Sequence, residues 1–270
     1  MSSREQGQGS GYGGATCRHR EEIREMRNYL TEIAKLITDR NRNLLTKADL
    51  LASFEKWQSN FEKKEIVLSW NDKRPDLMCA PVMQGADDCW AIALSRAISM
   101  FLQIIGSDIT PPTKDELLNA IDARYLSRRG AIDRLEIAIP YVKNYVGNMI
   151  IHRRPALDSD NEEHENYEKC IVRLLAKAPL AIRFESLPSF GSHDWKTMFS
   201  PTYEDCQARV YERLYKHDGV LTGVGVELRN GVATDYWEVQ ESGGEDLGRG
   251  GFVRFARHQF IIEEVCELQA

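Results

Sequence analysis

The chain has 270 residues, of which 42% are hydrophobic, and its formal net charge at pH 7 is −6. This length and apolar content suffice for a large buried core, so we expect one main domain with an appendage. The negative charge argues against nucleic acid as a partner. The longest apolar run begins at Cys89 and is interrupted by Arg96, so no uncharged apolar segment is long enough to predict a membrane helix.

Predictions of cofactor and compartment follow from the cysteines and from the N-terminus. No two cysteines form a CxxC pair, so we expect neither a zinc site nor a disulfide framework, and no other cofactor. The N-terminus lacks the basic and then apolar pattern of a signal peptide. We therefore expect a soluble protein of the reducing cytoplasm. The cysteines are Cys17, Cys79, Cys89, Cys170, Cys206 and Cys266.

The first 64 residues differ in composition from the rest of the chain. Residues 1–17 begin with a segment rich in Gly, Ser and Gln, which predicts a disordered tail. Residues 18–64 carry two apolar stripes at helical spacing, which predict a helical hairpin. Such a hairpin can pack on the main domain, bind a partner helix or mediate self-association. The stripes consist of Ile23, Met26, Leu30, Ile33 and Ile37, and of Leu50, Phe54, Trp57 and Phe61.

A long apolar helix is predicted to begin at Cys89. Apolar residues recur from Trp90 to Ile105 at steps of three and four, which is a helical period. Cys89 then lies at or just before the first turn, where unpaired backbone N–H groups favour negative charge and lower the pKa of a thiol. The plain alternative is a buried core cysteine, which is the commoner role of this residue type.

The remaining pattern predicts helices in the first half of the main domain and strands in the second. Thr113 is expected to cap a short helix that extends to Ile121, and another helix is expected after Gly130. The acidic residues 158–168 predict a surface loop. Helices followed by antiparallel strands indicate an α+β domain. The other predicted elements are strands at 66–70, 180–184, 220–228, 235–240 and 252–255, and a helix at 167–177.

Three blocks of the sequence resemble the papain-like cysteine proteases. The blocks are Gln84-Gly85 with Cys89-Trp90-Ala91, then His217 with Gly223-Val-Gly225, and then residues 236–254. Together they extend the resemblance over residues 66–257. His217 and Glu241 follow Cys89 by about 130–150 residues, as the catalytic residues do in that family. The three blocks stand in the family's order, which makes the resemblance specific.

This resemblance implies a two-lobed papain-like fold over residues 65–270, with a helical lobe before an antiparallel β lobe. It also implies hydrolysis of peptide bonds in a polypeptide substrate. Cys89 would be the nucleophile, and His217 the general base and acid. Glu241 would orient the imidazole, and Gln84 would donate a side-chain N–H to the oxyanion.

Substrate-binding residues and a location are implied by the same resemblance. Gly130 and Trp90 would bind substrate. The location by family analogy is vacuolar, lysosomal or secreted, whereas the missing family disulfide cysteines favour the cytoplasm. Residues 18–64 do not match the helix motif of the family's inhibitory propeptide. The hairpin is therefore either a diverged propeptide or an unrelated interaction module.

Several residues depart from the family pattern. Glu241 replaces an Asn and adds a charge and a methylene, and Gly243 replaces a Trp that shields the orienting hydrogen bond. Asp87 and Asp88 precede the thiol, and their charge is expected to oppose its thiolate, while Asp218 adds a carboxylate beside the base. We therefore expect weakened hydrolysis. The alternative is a catalytically inactive papain-fold protein that binds other proteins through its N-terminal helices.

Overall fold

The computed structural model describes residues 66–229 and 232–270. The tail predicted for residues 1–17 and the hairpin predicted for residues 18–64 lie outside these ranges, so both stay predictions. The same holds for self-association through the hairpin. No helix in the described part of the chain is long and apolar enough to cross a membrane.

The first half of the described chain is mainly helical. The helices are α1 (Trp70–Lys73), α2 (Cys89–Ile104), α3 (Lys114–Ala120), α4 (Ile139–Val142), α5 (Asn161–Leu175) and α6 (Tyr203–Tyr211), with short 3₁₀ turns at Pro75–Leu77, Ala123–Tyr125, Leu135–Ala138 and Pro188–Ser192. As predicted, α2 begins at Cys89, and most of its side chains are buried. Thr113 caps α3 through reciprocal hydrogen bonds with Glu116, which confirms the predicted capping box.

The described strands form one antiparallel sheet. They are β1 (Ile66–Ser69), β2 (Asn148–Arg153), β3 (Leu180–Ser186), β4 (Tyr215–Arg229), β5 (Val232–Gln240), β6 (Phe252–Ala256) and β7 (Ile262–Gln269). Their order is β2-β7-β3-β4-β5-β6, and β1 pairs with β4. All five predicted strands are confirmed. The first residues of β4, 215–219, pair with β3, and the strand pairs with β5 from Val220 onward and with β1 at residues 223–225.

Two hydrophobic clusters divide the described domain into two lobes. The first surrounds α2 and includes Trp90, Leu94 and Ile98. The second lies against the sheet and includes Phe184 and Trp237. Burial of each such side chain stabilises the fold by about 1.5–3 kcal/mol, so each lobe has a core of its own. A helical lobe therefore precedes a β lobe, and Cys89 begins the central helix of the first.

Two predicted elements are wrong in their bounds. Residues 158–168 do not form a surface loop, because Asp160 caps α5 by accepting from the Glu163 N–H, and His164 is buried. Acidic residues in a first helical turn complement the helix dipole, and this charge run is such a turn. The helix predicted after Gly130 is instead a 3₁₀ turn followed by α4, which begins at Ile139 with Pro140 in its first turn, the part of a helix that accepts proline.

Three elements, namely β2, β7 and α6, carried no clear sequence signal. In β7 the charged Glu264 is 5% exposed, so the strand does not alternate between apolar and polar residues. Arg153 of β2 explains this burial, because its Nε donates to Glu264 Oε1 over 3.0 Å. Because charged residues pair across β2 and β7, neither strand shows the alternation of apolar and polar residues from which strands are predicted.

Candidate active site

The segment before α2 is joined to the segment after β5. The Gln84 N–H donates to the Ser242 carbonyl over 2.8 Å, and Met83 forms an isolated β-bridge with Gly243. The Gln240 side-chain amide donates to the Cys79 carbonyl over 2.6 Å. These bonds set Gln84 and Glu241 in neighbouring, mutually supported loops.

Cys89 is the first residue of α2 and is 7% exposed. Its position confirms the predicted helix start. The Sγ atom lies 3.5 Å from Asp218 Oδ2, in hydrogen-bonding distance for a thiol donor. The thiol therefore faces the β lobe from the end of the helical lobe.

His217 lies on β4, and its ring packs edge-on against Phe184 with 5.3 Å between the ring centroids. Its Nε2 forms a short hydrogen bond with Glu241 Oε1. Burial lowers the pKa of His217, but hydrogen bonds with Cys89 and Glu241 outweigh this effect and raise the pKa to about 10. The structure thus brings Cys89, His217 and Glu241 together, with the imidazole between the thiol and the carboxylate.

The Glu241 carboxylate uses both of its oxygen atoms. Oε1 contacts His217, and Oε2 accepts a short hydrogen bond from the Gly243 N–H. Behind it, Arg96 of α2 donates from Nη1 to the Glu241 carbonyl over 3.3 Å. Burial lowers the pKa of Arg96, while its attraction to Cys79 and to Glu241 acts in the opposite direction. Glu241 therefore lies between a backbone donor and a buried cation.

The aspartates beside Cys89 are paired with cations. The Asp88 side chain is 4% exposed, and its Oδ2 lies 2.6 Å from Lys114 Nζ. Asp87 Oδ1 lies 3.2 Å from Arg129 Nη2 at a more exposed position. The expected opposition to the thiolate is thus reduced, because each charge has an opposite charge beside it.

A buried ion pair lies next to the thiol. Arg183 of β3 donates from Nε to Asp218 Oδ1 over 2.9 Å and from Nη2 to Oδ2 over 3.0 Å. The two side chains are 4% and 3% exposed. Burial lowers the pKa of Arg183, but Asp218 outweighs this and keeps the pKa above its ordinary value. The sequence analysis noted Asp218 and missed Arg183, whose cross-strand pairing is visible only once the register of β3 and β4 is known.

The two predicted substrate-binding residues contact each other. The Trp90 indole Nε1 donates to the Gly130 carbonyl over 2.8 Å. Trp90 is 1% exposed and packs beneath the segment that carries Gly130, and substrate binding by either residue stays a prediction. Its role is to hold Gly130, which is half-buried and has a φ of 94°.

Metal chemistry has no visible site in the described residues. No group of three or more His, Cys, Asp or Glu side chains within residues 66–229 and 232–270 is arranged to hold a metal ion.

Ser242 is a site residue that the sequence analysis did not select. Its hydroxyl donates to Gln84 Oε1 over 2.6 Å. Its only sequence signal was its place directly after Glu241.

Comparison with known sequences points to plant cysteine proteases. No protein-family model matches the chain. Vignain of Ricinus communis is 24% identical over 207 residues, covering 66% of this chain and 51% of vignain. Cysteine protease 1 of Oryza sativa subsp. japonica is 24% identical over 212 residues, covering 71% of this chain and 40% of that protein. The chain thus spans about half, or less, of the length of the curated relatives it matches.

Solved structures of papain-like proteases share the fold. The bromelain protease from Ananas comosus in complex with an inhibitor matches with a TM-score of 0.56 at 16% identity, over 75% of this chain and 97% of bromelain. A digestive procathepsin L proteinase from Tenebrio molitor larval midgut matches with a TM-score of 0.55 at 18% identity, over 75% of this chain and 67% of that chain. The chain therefore has the α+β fold of the papain-like cysteine proteases.

Proposed function

We propose that the chain is a papain-like cysteine endopeptidase that hydrolyses peptide bonds with Cys89 as nucleophile and His217 as general base and acid. The observation that carries this proposal is the position of the imidazole, which bonds to Glu241 through Nε2 and lies near enough to Cys89 for the thiol to raise the pKa of His217. A nucleophile, a base and a group that orients the base are the parts that such a reaction requires.

Proton transfer follows from the nitrogen atoms of His217. Nε2 is bonded to Glu241, so Nδ1 is the nitrogen that accepts the thiol proton of Cys89. The thiolate then attacks the peptide carbonyl carbon, and the imidazolium returns the proton to the leaving amine. Water hydrolyses the resulting acyl-enzyme by the same route. Glu241 keeps the ring in place and balances its positive charge throughout.

Gln84 completes the site as an oxyanion donor. The Ser242 hydroxyl occupies Gln84 Oε1, which orients the amide and leaves its N–H groups for a substrate. The backbone N–H of Cys89 is the second donor in this proposal. One such donor contributes about 10²–10³ in rate, so correct orientation of a single amide matters for turnover.

A second candidate function is supported by the contact between Cys89 and Asp218. A carboxylate that accepts from a thiol favours the neutral thiol, and Asp218 Oδ2 lies 3.5 Å from Sγ. This observation favours a catalytically inactive papain-fold protein that binds protein partners through its N-terminal helices. The first candidate is preferred because Arg183 neutralises Asp218, and because Cys89 and Glu241 outweigh burial and raise the pKa of His217, which favours transfer of the thiol proton to the imidazole.

The deciding experiment measures alkylation of Cys89 against pH in the full chain and in His217→Ala, by mass spectrometry of each cysteine peptide. We expect fast labelling of Cys89 below pH 7 that is lost in His217→Ala. Cys170 and Cys206 serve as internal references, and their labelling should be the same in both proteins. The proposed enzyme activity would be refuted by labelling of Cys89 that rises only near pH 8.5, the pKa of a free thiol, and that has the same rate in His217→Ala.

Turnover is then tested with an unfolded protein and with a library of peptides. We expect internal cleavage that disappears in Cys89→Ala and in His217→Ala. A reactive Cys89 without any cleavage would favour the protein-binding candidate.

The partners in this proposal are polypeptides. Self-association through residues 18–64 is tested by measuring the oligomeric state of the full chain at increasing concentrations. A cytoplasmic location stays a prediction.

A further inference from the structure

We infer that Gly243 and Arg96 are positioning residues that allow a glutamate to orient His217, and that residue 243 is glycine because the Glu241 carboxylate occupies the place of a side chain there. This inference rests on the proposed function, since it assigns supporting residues to the same site. Three separate observations support it: the space beside Gly243, the hydrogen bonds of the Glu241 carboxylate and the contacts of the Arg96 side chain.

The first observation is the space beside Gly243. A Cβ atom at this residue would lie 2.7 Å from Glu241 Oε2 and 2.7 Å from Leu247 Cδ2. The end of the Leu247 side chain can rotate away. The carboxylate cannot move in this way without breaking its bond to His217, so a side chain at residue 243 acts directly on the orienting group.

Backbone conformation does not explain the glycine. The neighbouring Gly244 has a φ of 86°, in the region that favours glycine, but Gly243 is not among the residues with positive φ. Gly243 also forms a β-bridge with Met83, which places it in extended backbone. Residue 243 could therefore adopt its conformation with a side chain, and the carboxylate of Glu241 is what excludes one.

Hydrogen bonding makes the same residue a donor. The Gly243 N–H binds Oε2 while His217 Nε2 binds Oε1, so the carboxylate is held by both oxygen atoms. A hydrogen bond to an ionised group is roughly twice as strong as one between neutral groups. The plane of the carboxylate, and with it the ring of His217, is thereby fixed.

Arg96 supplies the third observation. Its side chain is buried within α2 and donates to two carbonyl oxygens, those of Ala80 over 2.8 Å and of Glu241 over 3.3 Å. A buried cation needs a negative partner, and Glu241 is one of the two groups whose charge attracts it. Arg96 therefore anchors the Glu241 main chain at the point where the side chain faces His217.

The test is a double-mutant cycle in the full chain with Gly243→Ala, Glu241→Asp and the double variant. We expect Gly243→Ala to slow Cys89 alkylation at pH 6 by about tenfold, equivalent to one pKa unit in the thiolate–imidazolium pair. Aspartate is one methylene shorter and withdraws from the space beside residue 243. In the Glu241→Asp background, Gly243→Ala should therefore have little further effect, so that the two changes are not additive.

A control variant separates the carboxylate from general crowding. Leu247→Ala removes Cδ2, which lies 2.7 Å from a Cβ at residue 243, and leaves the Leu247 Cβ at 3.4 Å, an approach that a small shift can relieve. The inference is wrong if adding Leu247→Ala to Gly243→Ala fully restores the rate of Cys89 alkylation. It is also wrong if Cys89 in Gly243→Ala is alkylated at the wild-type rate. If wild-type Cys89 ignores His217→Ala, the proposed function itself fails, which is a distinct result.

A measurement on unmodified Gly243 keeps the test decisive should Gly243→Ala fail to fold. The amide proton of Gly243 is expected to resonate far downfield in a ¹⁵N–¹H spectrum because it binds a carboxylate. Glu241→Gln should move it upfield, and Arg96→Met should shift it as well, because the Glu241 main chain loses its anchor, while Gly130 and other distant amides stay unchanged. A Gly243 amide that does not respond to Glu241→Gln contradicts the inference.

Discussion

Two carboxylates, the buried Asp218 and the half-buried Glu241, flank the Cys89–His217 pair, and they differ in where their counter-cation lies. Asp218 contacts the thiol and has both oxygen atoms bound by Arg183. Glu241 contacts the imidazole, and the cation near it binds its main chain rather than its carboxylate. In the proposed function, the charge of Asp218 is therefore largely neutralised beside the thiol that becomes negative, while the charge of Glu241 is available to the imidazole that becomes positive.

This difference shows why counting carboxylates around a nucleophile is a poor guide to its reactivity. Both residues add a negative charge within reach of the same pair of groups. The placement of Arg183 and Arg96 determines which of these charges opposes the thiolate–imidazolium pair and which supports it. The negative residues that seemed unfavourable in the sequence thus form part of a balanced site.

The largest effect is expected from removing the cation on the thiol side. Arg183→Met leaves Asp218 buried without a partner, which typically costs about 3–5 kcal/mol of folding free energy. It should also suppress Cys89 alkylation at pH 6, because Asp218 then repels the thiolate. Urea unfolding measures the first effect and mass spectrometry the second. In the matched variant Arg183→Met/Asp218→Leu, stability should return to within about 1 kcal/mol of the wild type, and an unrecovered loss would argue against this reading of the pair.

A smaller effect is expected on the imidazole side. Glu241→Gln keeps the size of the side chain but removes its charge, and a hydrogen bond to a charged group contributes about 1.5–3 kcal/mol. The pKa of His217 should fall from about 10 toward 6.5, which NMR titration of the ring measures. Cys89 alkylation at pH 6 should slow by roughly 10- to 100-fold. An unchanged His217 titration would show that the Glu241 charge does not act on the ring.

The pH dependence of the free energy of unfolding tests the contact between His217 and Glu241 without altering the carboxylate. The pKa of His217 is raised in the folded state, from 6.5 to about 10. Its contribution is therefore complete below pH 6.5 and is lost as the pH rises to about 10, with a slope of at most about 1.4 kcal/mol per pH unit. Urea unfolding from pH 6 to 10 should show this decline, and His217→Ala should be flatter over the same range. Parallel curves would contradict the raised pKa.

The smallest effect is expected at Asp87, which is close to Cys89 in sequence but binds Arg129 at the surface. Asp87→Asn should change the free energy of unfolding by less than about 1 kcal/mol, since exposed ion pairs contribute little. Its alkylation profile should overlay that of the wild type. A large change would mean that sequence proximity to the thiol matters more than the position of the counter-cation.

The sequence predicted the elements that carry the site better than it predicted the residues that hold the site in place. Cys89 and the helix that follows are visible in the apolar period, and the strands around His217 are visible as β-rich segments. Arg183 was missed, because a charged residue within an apolar strand acquires meaning only through the register that places it opposite Asp218. Periodicity describes local structure, whereas this ion pair depends on a long-range alignment of strands.

Gly243 illustrates the same limit from another direction. In the sequence it is the absence of an expected tryptophan, and it predicted a weakened site. In the structure the same glycine provides an N–H and free volume to the Glu241 carboxylate. A single position cannot reveal such compensation, because the reason for one residue lies in the side chain of another.

The bonds between the Gln84 loop and the Ser242 loop also bear on the order of assembly. The side chains of these two residues bond across 158 positions of the chain. Contacts of such high sequence separation form late in folding, because the entropy of closing a long loop must first be overcome. A nascent chain on the ribosome that already contains Cys89 and His217 still lacks the residues that orient Gln84 and the imidazole. In the proposed function, the site therefore reaches its working geometry only after the segment that follows β5 has been made and has packed against the Gln84 loop.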